Sequence, residues 1–185
     1  MGMNVGVFLL FAALLTPEPT PIVFASTMST RPIAVAPSSQ YEKKPIIGIA
    51  ERVTVPSVGI DQMVRPGAYD TTTNTWTLDS NSAFHATTTV PINNSNGTTL
   101  IYGHAERAIF GRLLEVQPGA EAMVHTFDGY RFVYSFESSR QVTPPDTSQL
   151  TAIGKPKLLL QTCSGPFDAY RTLVTFSLKE VVYDA

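Results

Sequence analysis

Residues 131–136, R-F-V-Y-S-F, and residues 172–178, T-L-V-T-F-S-L, place an apolar side chain at every second position, with mixed residues between them. A period of two is that of a β-strand with one face on a core, since successive side chains leave a strand on opposite sides. Working outward, similar runs rich in β-branched and aromatic residues recur at Ile46–Val55, Thr98–Tyr102, Ala122–Phe127, Tyr130–Phe136, Lys157–Thr162 and Arg171–Val182. Pro, Gly and Asn separate them, and such spacing argues for an all-β sandwich or barrel. Asp128-Gly129 reads as a two-residue hairpin turn, and Asn96-Gly97 as a turn leading into Thr98–Tyr102. The one persuasive short helix follows His104, where Ile109, Phe110, Leu113 and Leu114 fall on one face before Pro118-Gly119 ends it.

The chain of 185 residues is 43% hydrophobic and 15% charged, which suits one folded domain with short appendages. Thirteen Lys and Arg against fifteen Asp and Glu leave a net charge of −2, so no basic field exists to hold nucleic acid. A single Cys excludes an internal disulfide framework and any Cys-cluster metal site. The acidic residues Asp128, Asp146 and Asp168 are scattered, and no metal site is expected.

At the N-terminus, V-G-V-F-L-L-F-A-A-L-L (5–15) has the length of a signal-peptide core and falls short of the ~20 residues that span a bilayer. Prolines 17, 19 and 21 stop it, and cleavage after Ala25 fits the small residues there. Residues 1–25 therefore read as a signal peptide or N-terminal membrane anchor, with no Lys or Arg before Arg31 to mark its flank. Residues 26–45, rich in Ser, Thr and Pro, read as a tether, and residues 46–185 as the folded domain. This organisation puts the domain outside the cytoplasm, membrane-anchored or secreted.

Cys163 ends the run K-L-L-L-Q-T-C and precedes the turn Ser164-Gly165-Pro166, which puts a thiol at the mouth of a sheet. A lone Cys is more often a small buried hydrophobe than a nucleophile, so its company decides. His104 ends T-T-L-I-Y-G-H, and Arg171 opens R-T-L-V-T-F-S-L, one short loop beyond the thiol. Thiolate as nucleophile, imidazole as proton carrier and guanidinium as oxyanion donor form a coherent chemical set. His85 and His125 lie inside apolar or alternating stretches and read as packing or surface histidines. The set serves a hydrolase as well as a transferase, and a non-catalytic surface-binding module would need none of it.

The segments T-L-I-Y-G-H-A and L-L-L-Q-T-C-S-G-P-F-D-A-Y-R resemble the His motif and the Thr-Cys…Arg motif of sortases, the Cys transpeptidases of bacterial cell surfaces. The resemblance runs from about Ile46 to the C-terminus and takes in V-T-V-P-S-V-G-I and F-G-R-L-L. It implies a closed β-barrel of about eight strands with one or two short helices. It also implies that His104 is the acid/base, Cys163 the nucleophile, Arg171 the oxyanion and substrate-orienting residue, and Thr162 a support of the substrate pocket or oxyanion hole. Ser164, beside the thiol, is grouped with Thr162 as substrate-binding. The implied substrate is the C-terminal sorting-signal peptide of a surface protein, and the implied acceptor an amine of a cell-wall precursor or pilin. Acyl transfer conserves the bond, so no cofactor is expected.

Specificity is expected in Q-V-T-P-P-D-T-S-Q-L-T-A-I-G-K-P-K (141–157), whose three prolines forbid a regular strand or helix throughout. Loops of this length in compact domains are functional or disordered. Proline pre-ordering and the apolar Val142, Leu150 and Ile153 favour a wall for an extended peptide, and the corresponding sortase loop recognises the sorting signal. A solvated crossover connection is the other reading.

Overall fold

In a computed structural model, residues 44–73, 75–144 and 154–184 are described. The segments read above as export segment and tether, up to residue 43, lie outside them, as do Leu150 and Ile153. Twelve strands follow in chain order: β1 (Ile47–Gly48), β2 (Ala50–Val55), β3 (Ile60–Gly67), β4 (Tyr69–Asp70), β5 (Thr75–Trp76), β6 (Ala83–Ala86), β7 (Ile92–Asn93), β8 (Thr98–Tyr102), β9 (Glu121–Thr126), β10 (Tyr130–Val142), β11 (Lys157–Ser164) and β12 (Tyr170–Tyr183). Eight close a barrel in the order β10-β12-β11-β8-β6-β3-β2-β9. The pairs β8–β11 and β3–β6 are parallel, and the other barrel pairs are antiparallel. Closure leaves the barrel without the open edges that invite aggregation.

The all-β expectation holds, with closure selecting the barrel over the sandwich. Alternation works as the period of two requires: Phe132, Tyr134, Leu158, Leu160, Val174 and Phe176 fill the interior. Each such side chain contributes about 1.5–3 kcal/mol by leaving water. A second, smaller cluster lies on the outer face and holds Phe84, Ala86, Leu100, Tyr102, Leu159 and Leu173, with Trp76 and Val142 packed against it. That outer cluster becomes the floor of the site.

Several details differ from the sequence reading. The run Ile46–Val55 breaks at Ile49 into β1 and β2, and the run Tyr130–Phe136 continues as β10 to Val142. The element after His104 is a 3-10 helix of five residues, Gly111–Glu115, which buries Leu113 and leaves Leu114 exposed. A three-residue repeat cannot keep two consecutive leucines on one face. Two further 3-10 turns are shorter, Pro56–Val58 and Pro166–Asp168. At the β9–β10 hairpin only Gly129 has positive φ (82°), and its N–H donates to the Thr126 carbonyl at 3.0 Å. The turn is therefore a three-residue loop ending in a left-handed glycine, since a two-residue type I′ turn would need positive φ at two positions.

Candidate active site

Strand register determines which side chains meet. Leu159 and Leu173 belong to the outer cluster, so Cys163 on β11 and Arg171 on β12 share that face by alternation. On β8 the outward residues are Leu100 and Tyr102, and His104 follows two residues past the strand's end. Cys163 is the direct cross-strand partner of Arg171, and Arg171 in turn of Val142. Paired residues on one face sit with Cβ atoms roughly 4.5–5.5 Å apart. The parallel β8–β11 ladder holds a constant offset from Lys157↔Thr98 to Gln161↔Tyr102, and His104 lies two residues beyond its last pair. Cys163, Arg171 and Val142 thus form one row across the outer surface, at the ends of β11 and β10 and the start of β12, and His104 follows the end of the neighbouring strand β8.

Three hydrogen bonds fix the backbone around His104. The Thr162 hydroxyl, buried at 1% exposure, donates to the Gly103 carbonyl at 3.0 Å, and the Gly103 N–H donates to the Gln161 carbonyl at 3.1 Å. On the other side the His104 carbonyl accepts from the Phe110 N–H at 3.1 Å. Gly103 permits this because a Cβ there would lie 3.0 Å from Ile109 and 3.3 Å from Phe110. His104 is half-buried, pinned by backbone on both flanks.

Between Cys163 and Arg171 the chain turns through Pro166–Asp168, where Phe167 (φ 54°) and Asp168 (φ 57°) are both left-handed. Left-handed backbone is costly for a bulky residue such as Phe. Arg171 braces the turn: its Nη1 donates to the Asp168 carbonyl at 2.8 Å and the Tyr170 carbonyl at 2.9 Å. Burial pushes the Cys163 thiol up, the Arg171 charge pulls it down, and the Asp168 carboxylate pushes it up again. The net shift is upward, so at neutral pH the sulfur is a thiol and the guanidinium offsets only part of the desolvation.

A cleft of about 320 Å³ opens over Cys163 and Arg171, lined also by Thr75, Trp76, Leu78, Tyr102, Gly103, Gln161 and Thr162. Trp76 packs edge-on against Tyr102 (centroids 5.1 Å apart), and Tyr102 stacks on Phe84 (5.9 Å). The Tyr102 hydroxyl is buried without a hydrogen-bond partner among the described residues, and burial pushes its pKa up to about 12. It occupies space that only a glycine leaves, since a Cβ on Gly67 would lie 2.2 Å from it.

Of the residues singled out from sequence, Cys163, Arg171 and Val142 come into register, His104 follows the end of β8, and Thr162 holds the residue before it. Ser164 faces the barrel interior with Thr162, is buried, and accepts from the Gln141 side chain at 3.4 Å; it is not part of the cleft lining. His85 contacts the Val90 carbonyl at 3.2 Å and His125 lies 3.8 Å from Asp184, both outside the cleft. The sequence reading missed Trp76, Leu78 and Tyr102. A lone Trp between threonines in T-N-T-W-T-L was the available signal, because Trp on a short polar strand needs a surface to cover.

A closed barrel with a strand-end thiol paired to a guanidinium, and an imidazole just past the end of the adjacent strand, has the architecture of a cysteine transpeptidase fold. The sortase-domain family model matches residues 53–179, and the chain belongs to the sortase family. No curated protein matches it. Sortase A of Listeria monocytogenes superposes with a TM-score of 0.61 at 18% identity, over 75% of this chain and 92% of that one. Sortase C2 of the group B Streptococcus pilus island 1 gives 0.59 at 21% identity, over 70% and 73%. Sortase C1 of Streptococcus suis gives 0.59 at 22% identity, over 74% of each.

Proposed function

We infer that the chain is an extracytoplasmic cysteine transpeptidase that cleaves a C-terminal sorting-signal peptide of surface proteins and passes the acyl group to an amine of a cell-wall precursor or pilin. The observation that carries this reading is the direct pairing of Cys163 with Arg171 in a lined cleft, with His104 two residues past the end of the neighbouring strand β8. Cys163 attacks the scissile carbonyl, the peptide C–N bond breaks, and the thiol proton reaches the leaving amine by way of His104. Arg171 faces the developing oxyanion with the N–H groups that the turn carbonyls do not occupy. An incoming amine then attacks the thioester, gives its proton to His104, and the thiol is restored. The carbon skeleton is conserved, so the cycle draws on no cofactor.

Trp76, Leu78 and Tyr102 supply one apolar wall for the peptide, and the segment from Val142 through Leu150 and Ile153 supplies the other. The N-terminal 25 residues act as export signal or anchor and residues 26–45 as tether. Incubation with sorting-signal peptides and a glycine oligomer, followed by mass spectrometry, tests the reading. A thioacyl adduct on Cys163 and an amine-ligated product support it. Release of the free acid alone, with amine present, would make the protein a hydrolase. An unreactive Cys163 toward peptides and thiol reagents would leave a binding module.

A further inference from the structure

The barrel carries an unpartnered apolar surface at the end opposite the cleft. Ile47 (59%), Ile49 (68%), Phe127 (66%) and Tyr183 (62%) are exposed there, each far more than a large apolar side chain normally is. Backbone contacts make the patch continuous. The Phe127 N–H donates to the Ile49 carbonyl at 3.2 Å, and the Asp184 N–H donates to the Gly129 carbonyl at 2.8 Å, so the hairpin tip lies between the Ile47–Ile49 segment and Tyr183. Tyr183 is further held edge-on to Tyr130 at 5.1 Å. The strand β12 connects the two ends, from Arg171 in the site to Tyr183 in the patch, roughly 40 Å of strand path.

We propose that this end of the barrel rests on a lipid bilayer, with Ile47, Ile49, Phe127 and Tyr183 in the interfacial layer and the cleft directed away from the membrane. The proposal rests on the reading of the N-terminal segment as a membrane anchor. Two observations name lipid as the occupant. The described chain begins at Lys44, immediately before Ile46 and Ile47, so the apolar run 5–15 is joined to the barrel at this end. That run has eleven residues, too few to span alone, and stable attachment generally takes two membrane signals. Four side chains are also far fewer than the 20–30 residues a side of a stable protein interface, whereas aliphatic residues with an aromatic rim suit a bilayer surface. Asp128 and Asp184 flank the patch, with Asp184 paired to Arg131 at 3.0 Å and Lys44 exposed beside Ile46, so the nearby charges balance and the contact is apolar in character.

The native chain has a single Trp, Trp76 in the cleft, which serves as an internal control at the far end. The full chain carrying Phe127→Trp is mixed with phosphatidylcholine vesicles whose acyl chains are brominated, and flotation and emission are read together. The proposal expects flotation, loss and blue shift of the emission added by Trp at 127, no change in Trp76 emission of the parent chain, and no release by concentrated salt. Ile49→Trp reads the same surface should the hairpin substitution disturb folding. A chain that floats while both added probes stay unquenched overturns the bilayer contact and leaves the anchor reading intact. A chain that does not float overturns both. A blue shift that grows with protein concentration without vesicles would assign the patch to self-association instead.

Discussion

Replacing Thr162 by Val tests whether the row of site residues depends on one buried hydrogen bond. Val has nearly the same shape, so the change removes the donor to the Gly103 carbonyl and little else. No backbone N–H of the described residues donates to that oxygen, which leaves a carbonyl in a buried position unsatisfied. Such a loss costs about 1–3 kcal/mol. Taking ~2 kcal/mol, a domain of ~140 residues loses roughly 6–10 °C in thermal midpoint. The larger effect is expected on chemistry, because Gly103 positions His104 and a misplacement of about 1 Å can cost on the order of 10² in rate. Thermal unfolding gives the first number. Peptide-to-amine transfer gives the second, and alkylation of Cys163 by a small haloacetamide, which needs no proton donor, serves as control. Transfer is expected to fall 10- to 100-fold with alkylation within about twofold of the parent. A variant with parental melting and parental transfer would refute the reasoning, since the strand end bearing His104 would then be held by something else.

The Cys163 thiol is raised, so its alkylation rate should keep climbing with pH past the ordinary thiol midpoint near ~8.5, where a free Cys levels off. Asp168→Asn removes a charge that pushes the thiol up, and Asn tolerates the left-handed backbone, so that profile should move to lower pH; an unmoved profile would mean Asp168 does not reach the sulfur. Arg171→Lys keeps the charge but not the planar fork, and transfer should drop by about 10²–10³ as for loss of one oxyanion donor, while near-parental turnover would make Arg171 a structural brace only. Gly67→Ala forces a Cβ against the Tyr102 hydroxyl, and overpacking of this kind costs about 1–3 kcal/mol, read as a lowered denaturation midpoint together with a quench or shift of Trp76 emission.

What the sequence disclosed follows from how locally each signal is encoded. The runs Thr98–Tyr102 and Lys157–Thr162 matched β8 and the body of β11 because continuous apolar stretches buried on both faces need no partner to be recognised. The strand β3 escaped notice: I-D-Q-M-V-R-P-G carries three polar or charged residues, a proline and a glycine, and becomes a strand because β2 and β6 offer it ladders on both sides. The four-residue β6 is too short to show a period. His104, Cys163 and Arg171 were legible as strand-end residues, since turn chemistry follows or precedes each in the chain. The adjacency of β8 and β11, the strands that lead to His104 and Cys163, was not, because a parallel pairing of segments far apart in sequence leaves no local signal.

Val142 shows how register reaches past any pattern a single strand can display. Along β10 the residues Phe132, Tyr134 and Phe136 face the interior, and unbroken alternation would send Val142 inward as well. The ladder to β12 shifts between Phe136↔Phe176 and Ser138↔Thr175, so Glu137 is an extra residue opposite no partner. A bulge of one residue inverts every later position, and Val142 emerges outward, level with Arg171. Glu137 is held in that irregular place by Lys157 and Ser177, which both donate to its carboxylate and draw its pKa down. The same bulge therefore serves two ends: it keeps aromatic residues in the core along the first half of β10 and turns the second half toward the cleft. Lys157 opens the strand that ends at Cys163, so the ion pair also ties the bulge to the strand that carries the thiol.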